Sequence, residues 1–575
     1  MVQSYNDEKI ELYLLQGKYN DVIDELSNKS GEIIEQCYLL EAYINKGNFK
    51  QAEIIFNSII TDKLSLKDHL QFLLLKGTFY LKKGEYDKAE TLLQENRKDF
   101  IKLELNTFLL KIKYKITLAI VLIRQGKWDE AKIILENQER KITSLGEQKS
   151  IFHKAELGKV YHNIAYTFHA RGSYTDALNY YFKAFRLKEE IENLQELAIT
   201  LNNIAIVYKL KGDLSKALEY YKKTLDYDEK IGNSNDIAGT LNNIAVVYMH
   251  QGLVDRSLKY HFRSLSLKEE IGNPMHVAFS LSNIGNVFIS QGRILKGLEY
   301  QKKALELRKL TKNKFYISMS YINLGIGYRF ANQNYKARKY FLKALEILKE
   351  IKNAKEIASL LMNIALTEAE ENNLSESSIV FKEFPEPPFE SEIILGQKKF
   401  IEAKLAQVQK NWEKATQLYE EAFLIPGMDF EFKTDIKKEL TEIAFRKWAT
   451  KSDIENLELV KSRLNEYESI SSDKFLTTHQ CMVLLLKAKL HATLYKFSNA
   501  KNHLTEALEI ANESGLPLHA KLAEKELERI KSAEIIFKEA NEPKEQPMEI
   551  DEVVSYMKGL MLMISKQENE VFSES

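Results

Sequence analysis

The sequence predicts an all-α protein built as a solenoid of antiparallel helix pairs. Three observations carry that prediction. Proline occurs only 8 times in 575 residues, and the first is Pro274. Proline breaks helix interiors and favours turns, so a long proline-free stretch rich in Leu, Ile, Lys, Glu and Ala reads as helix after helix. Glycine, at 23, falls below the ordinary usage of about 7%. Above all, the chain repeats itself. Asn163, Asn203, Asn243, Asn283, Asn323 and Asn363 stand 40 residues apart.

Each copy reads as a helical hairpin. Nine residues after the Asn stands a turn residue: Gly172, Gly212, Gly252, Gly292, Asn332 and Asn372. Gly and Asn supply the positive φ that such a turn needs. In the second copy, Leu201, Ile204, Ala205 and Tyr208 fall at i, i+3, i+4 and i+7, the stripe of a half-buried helix. Ala217, Tyr221, Thr224 and Leu225 form the facing stripe, and the small Ala217 lets the two backbones approach. Asn233 and Asn273 are placed to cap the helices that follow, with Pro274 at a first helical position.

Taken in order, residues 1–157 form irregular hairpins, with Gly17, Gly47, Gly84 and Gly126 at their turns, as in NKGNFKQAE and RQGKWDEAK. Residues 158–382 hold the six regular repeats. A proline-rich break, EFPEPPFES, occupies 383–391 and predicts a kink. Further hairpins follow over 392–530, where NWEKATQLYEEAF and KFSNAKNHLTEALEIA repeat the second-helix pattern. A polar linker covers 531–549. The last stretch, 550–575, opens with an amphipathic helix. Its Val553, Val554, Met557, Leu560, Met561 and Ile564 share one face, suited to capping the last hairpin or entering the chain's own groove.

The residues quoted for the repeat resemble the tetratricopeptide repeat family. Counting from Ala198, the large residue, the Leu/Ile, the small residue, the Tyr, the turn Gly and the following Ala, Tyr and Leu fall where that family has them. The 40-residue period, with LNNIAIVY and LNNIAVVY, is most similar to the longer repeats of kinesin light chains and the Leu-Gly-Asn repeat adaptors. The resemblance is specific over 158–376 and looser on either side. It implies a right-handed superhelical solenoid whose first helices line a concave groove.

Composition excludes several other classes. Lys plus Arg and Asp plus Glu both number 82, which gives no sign of nucleic acid or an anionic membrane as partner. The two cysteines, Cys37 and Cys481, form neither a disulfide framework nor a metal-ligand spacing. The N-terminal MVQSYNDEKIELYLLQGKYN lacks a basic region followed by an apolar one, and no apolar run is long enough to span a bilayer. The expectation is a cytoplasmic protein. No P-loop, H-E-x-x-H, C-x-x-C or G-x-S-x-G occurs, and Gly325-x-Gly327 lacks a third glycine. His162 and His169, seven helical residues apart, stand about 10.5 Å from each other, too far to share an ion unaided. No enzyme activity, cofactor or metal is expected.

The informative surface is the other side of the first helix. At about 100° per residue, Ile199, Asn203, Ile206 and Leu210 lie nearly opposite the core stripe. Tyr166, Val246, Asn286 and Ile326 take the place of Ile206 in neighbouring copies. With the Asn column, these residues are the expected wall of a peptide-binding groove. An amide both donates and accepts, so it can pair with the main chain of a ligand regardless of the ligand's side chains. The same Asn could instead bond to the adjacent helix and set the repeat spacing. Carboxylate-clamp members of the family place Lys or Arg beside such an Asn. Here those positions are His162, Asn202, Asn242, Ser282, Ile322 and Met362, so chaperone tails are not the expected ligand. Lys209, His250 and Arg329 stand singly along the groove or on its solvated rim. The expected function is a non-catalytic protein–protein interaction scaffold, binding an extended or helical peptide segment of a partner. The alternatives are a peptide-sensing signalling receptor of the kind seen in Rap-type regulators, or a structural subunit whose groove is filled by its own chain.

Overall fold

A computed structural model describes residues 2–27, 33–59, 64–102, 107–146, 149–291, 293–331, 333–370, 392–425, 430–472, 477–513 and 516–541. Among them are 27 helices and no strand. The turn residues Gly292, Asn332 and Asn372, the segment 383–391 and the C-terminal stretch 550–575 lie outside the described residues.

The chain divides into two compact units. One holds residues 1–207 and 219–232, the other 208–218 and 233–575. The helices up to the division are α1 (Val2–Leu15), α2 (Tyr19–Leu26), α3 (Ile33–Asn45), α4 (Phe49–Ser58), α5 (Leu66–Lys83), α6 (Tyr86–Glu95), α7 (Arg97–Lys102), α8 (Phe108–Arg124), α9 (Trp128–Thr143), α10 (Ile151–Ala170), α11 (Tyr174–Ile191), α12 (Leu194–Leu210) and α13 (Leu214–Ile231). After it come α14 (Ser234–His250), α15 (Val254–Ile271), α16 (Pro274–Ser290), α17 (Ile294–Leu310), α18 (Lys314–Phe330), α19 (Asn334–Glu350) and α20 (Ala354–Glu370). The C-terminal set is α21 (Glu392–Val408), α22 (Trp412–Leu424), α23 (Phe430–Thr450), α24 (Ile454–Ser472), α25 (Thr477–Thr493), α26 (Phe497–Glu513) and α27 (Pro517–Asn541). Consecutive helices pack in pairs, among them α10 with α11, α14 with α15, α16 with α17, α18 with α19 and α25 with α26.

Two columns of residues fix where these helices start and stop. At the turn within a hairpin, Gly172, Gly212 and Gly252 hold φ of 75°, 79° and 71°. Asn starts the next hairpin. The Asn193, Asn273, Asn313 and Asn353 side chains accept from the backbone N–H of Glu196, His276, Tyr316 and Glu356, and Asn233 accepts from Asn235. These are N-caps at a 40-residue period, each contributing about 1 kcal/mol.

The core lies between the helices of a pair and between successive pairs. Ile164, Ala165, Ile204, Ala205, Ile244, Ala245, Ile284 and Leu324 are all sealed from solvent. Gly285 and Gly325, each two residues after a column Asn, face Gln301 and Phe341 of the second helix. A Cβ on Gly325 would come within 2.4 Å of the Phe341 ring.

Each unit also makes contacts that local pattern does not encode. In the first, Asn193 donates from Nδ2 to the Leu15 carbonyl at 2.6 Å, so the α1–α2 turn rests on the α11–α12 junction. In the second, Val254 and Val287 share one apolar cluster with Cys481, Ala511, Leu516 and Ala520. The C-terminal hairpins thereby cover the hairpin tips of repeats three and four. On the chain side of 371–391, α20 packs directly on α21, with Leu360, Leu361 and Ile364 in one core with Ile401 and Leu405.

Candidate functional site

The Asn column sits where the helical period places it, half-buried on its helices in all six copies. Its amides bond in two ways. Asn163 and Asn363 donate within their own helix, to the carbonyls of Lys159 and Ser359. Asn283 and Asn323 reach back one repeat, donating to Asn242 Oδ1 at 2.7 Å and Ser282 Oγ at 2.9 Å. Asn203 does the same toward His162 Nε2 at 3.2 Å. The receiving side chain is each time the residue before the previous copy's Asn. Three pairs of first helices, α10 with α12, α14 with α16 and α16 with α18, are therefore stitched by amide bonds that reach back 41 residues, the spacing role that the sequence left open beside ligand contact.

Around that column the residues expected to wall a groove are accessible to different degrees. Tyr166, Ile206, Val246 and Ile326 are half-buried, as are Asn202 and Asn242. Ile199 is 42% exposed and Phe330 41%. Asn286 is exposed and accepts from Gln301 Nε2 at 2.6 Å. Gln301 is itself fully buried, donating also to the Ser282 carbonyl and accepting from Ser282 Oγ. Lys209, His250 and Arg329 are half-buried, and Arg329 lies 5.8 Å from the Phe330 ring centroid.

Beneath the column in the first unit is a charged cluster that the sequence reading missed. Lys188 is buried and pairs with Glu196 at 2.7 Å, while donating to Thr200 Oγ1 at 2.9 Å. The Thr200 hydroxyl in turn donates to the Glu196 main-chain carbonyl at 2.8 Å. The His162 ring stands 3.3 Å from Thr200 through Nδ1 and edge-on to Tyr181. Burial, then the Lys188 charge, pushes His162 down to about 3, so the ring is neutral at physiological pH. Glu196 is drawn down to about 2, first by the Lys188 charge. This is a closed hydrogen-bond network rather than a reactive pair. His162 is taken up by it and His169 is not among its members.

The Lys188–Thr200 contact belongs to a repeating column. Lys268 donates to Ser280 Oγ at 3.0 Å, and Arg308 to Ser320 Oγ at 2.7 Å, the same twelve residues apart. Asp228 and Thr240 hold the equivalent positions and are both buried. In the last repeat the pair becomes apolar, Leu348 and Leu360, also buried. The signal was present, since these residues also recur every 40. In LDYDEKI, SLKEEI and LRKL, however, they read as solvated charges at helix ends.

Among the described residues no group of His, Cys, Asp or Glu could hold a metal ion, and no helix is long and apolar enough to cross a membrane. Residues 156–230, 236–310 and 277–350 match the model of the tetratricopeptide repeat family. Over this stretch, about a third of the chain, the hairpins are similar to tetratricopeptide repeats. No curated protein matches the chain in sequence. Solved structures similar to it include the apo form of the quorum sensor NprR from B. thuringiensis, at 18% identity and a TM-score of 0.46, over 60% of this chain and 96% of that one. Aspartyl phosphate phosphatase F from Bacillus subtilis is 15% identical, with a TM-score of 0.40 over 66% and 95%. The human IFIT1 dimer with m7Gppp-AAAA is 17% identical, with a TM-score of 0.41 over 75% and 94%.

Proposed function

We propose that this chain is a non-catalytic interaction scaffold that holds a peptide segment of another protein against the second face of its first helices. The supporting observation is the division of each first helix into two apolar faces. One is sealed inside the repeat. The other, carrying Ile206, Val246 and Ile326 around the Asn column, is left partly open. Half-buried Ile206, Val246 and Ile326, with Asn286 at the same position of the fourth repeat, offer a ligand's apolar side chains contacts that each remove apolar area at about 25 cal/mol per Å².

The carboxamides add main-chain recognition. Asn203, Asn283 and Asn323 each give one N–H to the neighbouring repeat, and an amide has a second N–H and a carbonyl for a ligand. Stitching and binding are thus compatible in one side chain, and the stitching pre-positions the amide. Nothing in this reading requires a cofactor, a metal ion or nucleic acid. The buried free thiols Cys37 and Cys481 suit a reducing compartment, so we place the action in the cytoplasm.

A peptide-display selection on the immobilised full chain tests this. Enriched peptides should bind in solution, and Val246→Asp and Ile326→Asp should each weaken them by roughly tenfold or more, as the loss of about 1.4 kcal/mol requires. Enriched peptides that bind both variants as tightly as the parent chain would overturn the reading. Selection of peptides no longer than about ten residues, with a change in hydrodynamic radius on binding, would favour a sensing receptor over a scaffold.

A further inference from the structure

The second helices of repeats three to five carry a surface that the groove does not use. Residues 254–263, 293–303 and 333–343, the opening turns of α15, α17 and α19, hold eleven Lys or Arg, every one exposed. Within these stretches stand two acidic residues, Asp255 and Glu299; Lys303 pairs with Glu299, and Arg338 with Glu368 of α20. The equivalent stretch of α11, residues 173–183, holds one of each sign, Asp176 and Lys183. The equivalent stretch of α13, residues 213–223, holds three Lys against Asp213 and Glu219, so the excess of positive charge grows stepwise from the second repeat to the fifth.

Aromatic rings hold several of the cations in place. Lys296 lies 4.4 Å from the Phe288 ring centroid, Lys336 5.5 Å from Tyr328 and Lys343 5.7 Å from Tyr340. Apolar side chains stand among them. Leu295 is 80% exposed and Tyr335, one repeat on, 81%; Phe262 and Leu342 are exposed as well. Like charges gathered on one face repel, and exposed Leu and Tyr at one register invite cover. The complement is an acidic segment with an apolar face.

The chain itself contains one. Residues 545–552 carry Glu545, Glu549, Asp551 and Glu552 and no Lys, and Val553, Val554, Met557, Leu560, Met561 and Ile564 fall on one helical face. The C-terminal hairpins already reach the same repeats, through Leu516 and Ala520 against Val254 and Val287. Distance permits the return. A 25-residue α27 is roughly 37 Å long. Residues 542–549 extend to roughly 26 Å, and a helix over 550–566 adds roughly 25 Å. We propose that residues 545–566 dock in cis, through the acidic stretch 545–552 and the apolar face that follows it, on the basic face of α15, α17 and α19.

Zero-length carbodiimide cross-linking of the full chain, read by mass spectrometry on a mixture of isotope-labelled and unlabelled protein, tests this. The expected links join Lys296, Lys336, Lys339 or Lys343 to Glu549, Asp551 or Glu552 within one chain. Their yield should fall several-fold between about 0.05 and 0.5 M salt as the charges are screened. Reversing the tail (Glu549→Lys, Asp551→Lys, Glu552→Lys) should abolish them. Adding Lys336→Glu, Lys339→Glu and Lys343→Glu should restore them, a rescue that misfolding cannot produce. Tail links to Lys521 or Lys525 would make the segment a cap on α27, and links to Lys159 or Lys209 would place it in the groove. Either result, links only between chains, an absence of tail links or a failed rescue overturns the proposal.

Discussion

Single residues set the geometry of the repeat by size and by pairing. Gly325 is the case for size. Its missing Cβ makes room for the Phe341 ring, which would otherwise sit at 2.4 Å. Gly325→Ala is therefore expected to destabilise the chain by about 2 kcal/mol, within the usual range for overpacking. Adding Phe341→Leu should recover part of that, and urea unfolding of the two variants checks it. Lys268 and Ser280 are the case for pairing. Ser280→Leu alone should cost about 3 kcal/mol, because it strands a buried ammonium. The double change Lys268→Leu with Ser280→Leu should be close to neutral, as the natural Leu348 and Leu360 pair indicates. A double variant as unstable as the single one would refute this. The sequence made the Asn column legible but not its partners. A spacing of 40 names the position, whereas the bond from Asn283 to Asn242 depends on which rotamers meet between helices.

At the scale of helices and turns, the hairpins could be read almost directly from sequence, because Gly, Asn and apolar period all act locally. Gly172, Gly212 and Gly252 turn where they were expected to. The same left-handed conformation recurs at the helix ends where the next hairpin begins, at Gly232 and Gly272 with φ of 74° and 73°. Glu192, Lys312 and Lys352 hold it without glycine, at 60°, 54° and 55°. A Cβ in that region costs about 1 kcal/mol. Lys312→Gly should therefore raise stability by roughly 0.5 kcal/mol, after the entropy of a freer unfolded chain is subtracted. A lower urea midpoint for this variant would show the strain to be absent. What local pattern could not give was the cover over the tips. Leu214, Val254 and Ile294 follow their turns and are buried. Cys481, Ala511, Leu516 and Ala520, which join Val254 and Val287 in one cluster, lie more than 200 positions from Val254.

For the molecule as a whole, burial of neutral histidines ties stability to pH. His162 is held at about 3, and His261, His479 and His519 at about 4, in each case chiefly by burial. Their unfolded pKa is about 6.5. The unfolded chain thus binds more protons as pH falls below that value, and stability is lost progressively toward pH 4, by about 1.4 kcal/mol per pH unit for each histidine. Above pH 7 these groups contribute no slope. Urea midpoints between pH 7.5 and 4 check this; a flat profile would contradict it. The central claim remains that the open face of the first helices binds peptide. The most direct measurement places a benzoylphenylalanine photo-cross-linker at Ile326 or, as a control, at Leu342 on the second-helix face, and illuminates each with a display-selected peptide. Capture at position 326 with none at 342 is the predicted result. Capture at 342 and none at 326 would mean that the groove is not the binding face.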